Sequence, residues 1–165
     1  MEFTLHGGYK TNLSEASRAF GFIIPSISFD YKLVPNGQLV LATKFKGHFN
    51  IGNDFEFYQG ATIGGNNGLR GFRFQRFNGK TAYFQNTDLR LSFRKKQTGL
   101  IPIIPGIFGG FDYGKVWLPN VDSNVWHTSY GGGFFINGSN ILSANFGLFN
   151  SSDGARFTFG LGFEF

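Results

Sequence analysis

The residues best suited to a chemical task are the arginines of a glycine-rich segment, residues 64–80. This segment contains three arginines and three phenylalanines and begins Gly-Gly-Asn-Asn-Gly-Leu-Arg-Gly-Phe. Arg70 lies between Leu69 and Gly71, so its backbone can approach other groups closely while the guanidinium reaches away. A desolvated guanidinium needs a charged and preferably bidentate partner. The alternative is an exposed loop whose arginines are solvated.

The partners that we expect for Arg70 are two aspartates outside the segment. Asp88 and Asp112 lie where polar and apolar residues alternate, and the alternation places both on the polar face. They become the natural partners if the segment folds onto that face. The two carboxyl groups could act as general acid and base, but Arg70 and the nearby Arg90 would hold both ionised. That arrangement suits a structural role better than proton transfer.

No other residues form a recognisable reactive site. The chain has no cysteine, which excludes a thiol nucleophile and thiolate metal sites. Gly79-Lys80-Thr81 resembles the end of a phosphate-binding loop, but Phe74 stands where that motif requires glycine. No Gly-x-Ser-x-Gly elbow occurs, and the three histidines lie on separate predicted strands: His6, His48 and His127. We therefore predict no catalytic, cofactor-binding or metal-binding residues and no enzymatic activity.

The elements that must position these residues are β-strands, because apolar and polar residues alternate along most of the chain. The alternation is strict near the C-terminus, where Phe157, Phe159 and Leu161 share one face. Nine segments are strand candidates: residues 3–9, 20–33, 38–50, 55–63, 81–94, 107–117, 126–137, 142–148 and 156–165. We predict eight spanning strands, with residues 1–19 contributing an extra or partly paired strand.

Two environments explain this alternation. In a soluble sandwich the apolar faces form a shared core, whereas in a membrane barrel they face lipid and the polar faces line a lumen. Several segments exceed the about five or six residues of a typical soluble strand and match the roughly nine to eleven of a membrane strand. The opposite faces carry glycines and charges, such as Lys44, Lys46 and Arg90. We therefore predict an all-β, antiparallel transmembrane β-barrel of outer-membrane type, with the lipid bilayer as a partner.

Composition agrees with that prediction. Aromatic residues lie near several predicted strand ends, where an interfacial girdle is expected: Tyr9, Tyr31, Trp117, Trp126, Phe149 and Phe165. No apolar run reaches the roughly 18 residues of a membrane-spanning helix. The net charge is +5, but the basic residues are dispersed along the chain, so we predict no nucleic-acid partner.

Three motifs carry a resemblance to a known family. Residues 64–72 resemble the Arg-Gly-Phe/Tyr loop signature of the outer-membrane assembly-factor superfamily, the bacterial surface antigen family. Residues 86–90, Asn-Thr-Asp-Leu-Arg, resemble the family's next strand with its inward acidic residue. Residues 111–117, Phe-Asp-Tyr-Gly-Lys-Val-Trp, resemble the strand after it. The order and spacing also match, and the resemblance extends over residues 20–165.

The resemblance implies a loop motif of Leu69, Arg70, Gly71 and Phe72, in which Arg70 pairs with Asp112 and Asp88 inside the barrel. It implies a C-terminal aromatic signal, Phe163 and Phe165, that the outer-membrane assembly machinery recognises. The expected location is the outer membrane of a Gram-negative bacterium, with the targeting signal missing from this stretch.

The same resemblance implies a role in inserting or translocating polypeptides, or in anchoring a fused periplasmic domain. We expect residues 1–165 to be one barrel domain, the C-terminal half of a larger family barrel, and to be inactive alone. Eight strands must either close or pair, so two copies forming a homodimer of sixteen strands is the structural alternative. The functional alternatives are a barrel that binds an apolar molecule and a barrel lipid hydrolase.

Overall fold

The computed structural model describes residues 1–11, 19–52, 56–65, 67–99, 101–119, 124–138 and 142–163. Alternating apolar and polar residues form strands throughout this part of the chain. Ten strands follow one another: β1 (Glu2–Thr11), β2 (Ala19–Lys32), β3 (Leu39–Ile51), β4 (Ala61–Ile63), β5 (Phe77–Gly79), β6 (Thr81–Ser92), β7 (Ile103–Trp117), β8 (His127–Gly138), β9 (Leu142–Ser151) and β10 (Gly154–Phe163). The only helical turn among the described residues is a 3₁₀ helix at Phe57–Gln59. None of the described helical structure has the length and apolar character needed to cross a membrane.

Eight of these strands form a single antiparallel sheet in the order β1-β2-β3-β6-β7-β8-β9-β10. Each strand pairs with the next long strand along the chain, so the sheet is a meander. The remaining strands, β4 and β5, pair with each other in a small two-stranded sheet. The predicted all-β antiparallel class is confirmed, and the number of long strands is the predicted eight, but the set of strands differs from the predicted one.

Two of the nine strand candidates have a different outcome from the one expected. Residues 3–9 belong to a full strand, because Glu2–Thr11 pairs with β2 over ten residues. The candidate at 55–63 is not a strand of the large sheet, and only Ala61–Ile63 within its described part is extended. There the side chain of Gln59 accepts a hydrogen bond from the backbone N–H of Glu56, at 2.9 Å, and closes a helical turn. Such local bonds compete with strand pairing.

One face of the large sheet is apolar and exposed, and we call it the apolar face. Its side chains lie opposite one another across strands, as in the register pairs Leu41 with Leu89 and Leu91 with Ile107. The rings of Phe134, Phe146 and Phe159 form a ladder across β8, β9 and β10, with 4.9 Å between successive centroids. Exposed members occur on all eight strands, including Leu5, Ile23, Phe49, Leu89, Phe111, Tyr130, Leu148 and Leu161.

The opposite, polar face carries the segment between β3 and β6. Side chains of β4, of the following turn and of β6 form a buried apolar cluster on it: Ala61, Ile63, Leu69, Phe72, Ala82 and Phe84. Phe77 and Val116 pack against this cluster. The segment therefore lies on the sheet as a packed unit that contains the glycine-rich residues.

The large sheet is not closed in the described residues. β1 pairs only with β2, and β10 pairs only with β9, so the sheet has two open edges. The predicted closure of eight strands on themselves is therefore absent from this structure. Because eight strands alternate in direction, the start of β1 and the end of β10 lie at one end of the sheet. The connection between β3 and β6 leaves and re-enters the sheet at the other end.

Candidate functional site

The turn that carries Arg70 is fixed by its own backbone. Gly64 donates to the carbonyl of Asn67 at 3.0 Å, and Leu69 donates to the carbonyl of Gly64 at 3.2 Å. The side chain of Asn67 donates to the carbonyl of Thr62 at 2.7 Å, which ties the turn to β4. Leu69 and Phe72, on either side of Arg70 and Gly71, are buried in the apolar cluster. Their packing presses the turn against the sheet, so Arg70 projects along the polar face.

Arg70 holds Asp112 of β7 through both its backbone and its side chain. The backbone N–H of Arg70 donates to Oδ2 of Asp112 at 3.0 Å. Nε donates to Oδ1 at 3.0 Å and to Oδ2 at 3.1 Å, and Nη2 donates to Oδ1 at 2.6 Å. The Asp112 side chain is 0% exposed. This is the multidentate, desolvated pairing that suits a buried guanidinium.

Two further donors complete the environment of Asp112. Asn86 of β6 and Ser129 of β8 are its register partners on either side. The Asn86 amide donates to Oδ1 at 2.7 Å, and the Ser129 hydroxyl donates to Oδ2 at 2.8 Å. Nδ2 of Asn86 also donates to the carbonyl of Gly68 in the turn. The buried carboxylate is therefore saturated by donors from the turn and from both neighbouring strands.

The second carboxylate, Asp88 of β6, lies between two arginines. Nη2 of Arg70 donates to its Oδ1 at 2.7 Å, and Nη2 of Arg90 donates to its Oδ2 at 3.2 Å. Arg90 is partly exposed, whereas Arg70 and Asp88 are mostly covered. We call Arg70, Asp88, Asp112, Asn86 and Ser129 the Arg70 cluster.

The strands beneath the guanidinium are shaped to admit it. Gly110 of β7 faces Asp88 in the register, and a Cβ atom there would come within 2.5 Å of Oδ1 of Asp88 and 2.6 Å of Nη2 of Arg70. Phe149 of β9 is fully buried, and its ring centroid lies 4.1 Å from Cζ of Arg70. The guanidinium thus lies between an aromatic ring and two carboxylates, an arrangement that adds a cation–π contact to the ion pairs.

The electrostatics favour a permanently charged Arg70. Burial disfavours the charged guanidinium, but hydrogen bonds and charges from Asp112 and Asp88 outweigh that effect and raise the pKa of Arg70 above its ordinary value. With Arg70 bonded to both carboxylates, the arrangement ties a turn to a sheet.

Further contacts tie the segment to the β9–β10 turn. Ser151 donates to the carbonyl of Gly71 at 2.7 Å, and Arg76 pairs with Asp153 at 2.7 Å. Gly71 has no room for a side chain, because a Cβ atom there would come within 2.7 Å of Cβ of Ser129. The segment therefore contacts β6, β7, β8 and β9 together.

The structure brings together four of the residues singled out in the sequence: Arg70 and Gly71 of the turn, and Asp88 and Asp112 of the sheet. Leu69 and Phe72 anchor the turn from below. Phe163 ends β10, and Phe165 lies outside the described residues. Within the described part of the chain, no three histidine or carboxylate side chains cluster in a way that could hold a metal ion.

Sequence reasoning missed two members of the site. Phe149 was expected in the interfacial girdle, but it is fully buried on the polar face beneath Arg70, so that expectation is wrong. The available signal was the alternation along β9, which places Phe149 on the other face of the sheet from Phe146 and Leu148. Ser129 had no local signal, because only the pairing of β7 with β8 places it against Asp112. The other described girdle candidates are exposed: Tyr9, Tyr31, Trp117 and Trp126.

Comparisons with known proteins identify no relative: no family model, curated protein or solved structure matches the chain.

Proposed function

We propose that this chain forms wall strands of an outer-membrane β-barrel in which the Arg70 cluster holds the segment between β3 and β6 inside the lumen. The observation that carries the proposal is the contrast between the two faces of one sheet. The apolar face is exposed on all eight strands, and the polar face holds a buried, charge-paired turn.

Physical considerations favour lipid as the medium against the apolar face. Large contiguous apolar patches are rare on soluble monomers, where the largest patch is about 300–600 Å². The eight long strands run from 10 to 15 residues, and a tilted strand needs roughly nine to eleven residues to cross the hydrocarbon core. Trp117 and Trp126 lie at the end of β7 and before β8, with ring centroids 6.2 Å apart. Strand ends lie near the membrane–water interface of a barrel, where tryptophan and tyrosine side chains are enriched.

The Arg70 cluster supports a role for the turn as a fixed internal plug. It joins the turn to three adjacent strands through a carboxylate with no exposed surface. A barrel wall held in this way keeps its shape while other parts of the lumen remain open to a passing chain. Within the proposal, the polypeptide-inserting or translocating role implied by the sequence motifs, or anchoring of a periplasmic domain, is the function of the complete barrel.

The proposal includes a Gram-negative outer membrane as the location. The end of the sheet with the start of β1 and the end of β10 then faces the periplasm, and the connection between β3 and β6 leaves the sheet at the end that faces the cell exterior. Phe163 and Phe165 would provide the aromatic signal read by the outer-membrane assembly machinery. The charged polar face argues against the alternative of an apolar ligand inside the barrel, because Arg70, Asp88 and Arg90 form a chain of ion pairs on it.

Charged substitutions on the two faces of β9 test the proposal. Phe146 is near the middle of β9 on the apolar face, and its neighbour Asn145 is on the polar face. An arginine on a lipid-facing strand costs about 2–4 kcal/mol near the bilayer midplane. In phosphatidylcholine vesicles, Phe146→Arg should therefore lower the free energy of unfolding by this amount relative to Phe146→Ala, which removes the same aromatic contacts. Asn145→Arg should be nearly neutral.

The comparison with Phe146→Ala separates the cost of charge from the cost of the lost ring ladder. Equal stability of Phe146→Arg and Phe146→Ala would contradict the lipid-facing assignment, since an arginine on a water-exposed face carries no such penalty. Folding of the wild-type chain in plain buffer to a monomer with the same circular dichroism would contradict it independently.

A further inference from the structure

The open edges of the large sheet are the strongest feature that the proposed function leaves unexplained. β1 and β10 are each ten residues long, and among the residues that the structure describes each pairs on one side only. An unpaired backbone group in hydrocarbon costs several kcal/mol, so membrane sheets must have no open edges. If the apolar face meets lipid, both edges need a partner strand.

Side-chain exposure also indicates missing neighbours at the edges. Phe157 on β10 is 88% exposed, whereas Phe146 on the adjacent β9 is 39% exposed. On β1, Phe3, Leu5 and Tyr9 are all more than 60% exposed. These apolar side chains lack the cross-strand contacts that a next strand would supply.

Closure of β1 onto β10 within one chain conflicts with the packed segment. The interior of an eight-stranded barrel is just wide enough for the side chains of its own wall. Here the polar face also carries the backbone and side chains of β4, β5 and the turn between them, with Leu69 and Phe72 buried beneath. The wall that encloses this segment must contain more than eight strands.

We infer that a second copy of this chain supplies the missing strands, and that two copies close a sixteen-stranded barrel around a two-fold axis. This inference rests on the proposed function. Rotation about the barrel axis preserves strand direction, and β1 and β10 run in opposite directions. Each β1 therefore meets the partner's β10 antiparallel, over edges of equal length.

The faces also match across both seams. Phe3 and Leu5 of β1 and Phe157, Phe159 and Leu161 of β10 are on the apolar face. Pairing of these strands with their side chains in phase gives a continuous apolar exterior. The connections between β3 and β6 of both copies then start and end at the same end of a lumen wider than that of an eight-stranded barrel.

Cysteine cross-linking across the seams tests this arrangement, and the chain has no cysteine of its own. Leu5→Cys would be refolded in vesicles together with an equal amount of a second variant carrying Phe157→Cys, Phe159→Cys or Leu161→Cys. The three positions sample the in-phase registers nearest to full overlap of the two strands, and only one of them should react, because disulfides form only where Cβ atoms approach within about 3.5–4.5 Å. One register should give a covalent species of twice the monomer mass. In the matched control, Leu5→Cys is refolded with Leu89→Cys instead of a β10 variant. Leu89 is exposed on the apolar face of the central strand β6.

The outcomes separate the possible occupants of the edges. A mixed covalent dimer with β10 variants, and none with Leu89→Cys, is the expected result. A disulfide that forms at monomer mass in a chain carrying both cysteines, with no mixed dimer, would show self-closure and overturn the inference. Folded protein with neither product would also overturn it, because other strands must then cover the edges. Failure of the lipid-facing assignment is recognised separately, by equal stability of Phe146→Arg and Phe146→Ala.

Discussion

Replacing Arg70 by alanine removes the side chain that joins the turn to two carboxylates. The variant loses both Nε contacts to Asp112 and the two Nη2 contacts, at 2.6 Å to Asp112 and 2.7 Å to Asp88. It leaves a carboxylate with 0% exposure, and a second with 11%, without their main counter-charge. The buried charge of Asp112 cannot regain water unless the turn leaves the sheet.

The size of the effect follows from what remains. Breaking a buried ion pair by removing one partner costs about 3–5 kcal/mol. Asp112 keeps three donors, the backbone N–H of residue 70, Asn86 and Ser129, and Asp88 keeps Arg90. These satisfy hydrogen bonds but replace little of the charge, so we expect the lower end of that range, about 3 kcal/mol. The urea midpoint should fall by about 1–3 M, given slopes of about 1–3 kcal/mol per M.

The assay is urea unfolding of the vesicle-inserted protein, followed by tryptophan fluorescence and circular dichroism. Arg73→Ala is the matched control, since Arg73 is an exposed arginine of the same segment, and its loss should change stability by no more than about 0.5 kcal/mol. In the Asp112→Asn background, Arg70→Ala should cost clearly less, because the charge it neutralises is gone. If Arg70→Ala is no more destabilising than Arg73→Ala, the cluster does not hold the turn and the reasoning is refuted.

Two further substitutions test the packing around the cluster. Gly71→Ala should destabilise the protein by about 1–3 kcal/mol, because its Cβ would come within 2.7 Å of Cβ of Ser129. Gly109→Ala is the control and should not destabilise it, since a Cβ there meets nothing within 4 Å. Equal effects of the two substitutions in urea unfolding would argue against close packing of the turn. Phe149→Leu keeps an apolar side chain but loses the ring beneath Arg70, and the cation–π contact should account for about 0.5–2 kcal/mol of the loss. In the Arg70→Ala background, Phe149→Leu should therefore cost less stability by that amount. If Phe149→Leu costs the same in both backgrounds, its effect is due to packing alone.

Much of this fold was predictable because strand periodicity is local. Successive side chains of a strand point to opposite faces, so the alternation of residue types indicates both the strand and its apolar face. The same rule placed Asp88 and Asp112 on one face, and Arg70, in a glycine-rich segment, was then a reasonable partner for both. The rule also applied to Phe149, which the alternation along β9 places on the other face from Phe146 and so excludes from the apolar face. Aromatic composition near strand ends was the weaker guide.

Other features depended on interactions that a local pattern does not contain. The candidate at 55–63 has apolar residues at strand spacing, but a hydrogen bond from the backbone N–H of Glu56 to the side chain of Gln59 closes a helical turn there. Residues 3–9 have a weak pattern, yet they form a strand because β2 offers a ten-residue edge to pair with. In both cases the partner that competes for the backbone decides the structure.

The sequence by itself determined the strand class, the two faces and the charged residues of the polar face, because each of these depends on residue type and on a period of two. The tertiary structure alone decided the rest. The pairing of β6, β7 and β8 placed Asn86 and Ser129 on either side of Asp112, and the packing of Leu69 and Phe72 brought Arg70 to that site. It also left β1 and β10 as open edges. Register, packing and closure join residues far apart in the chain, so no local pattern specifies them.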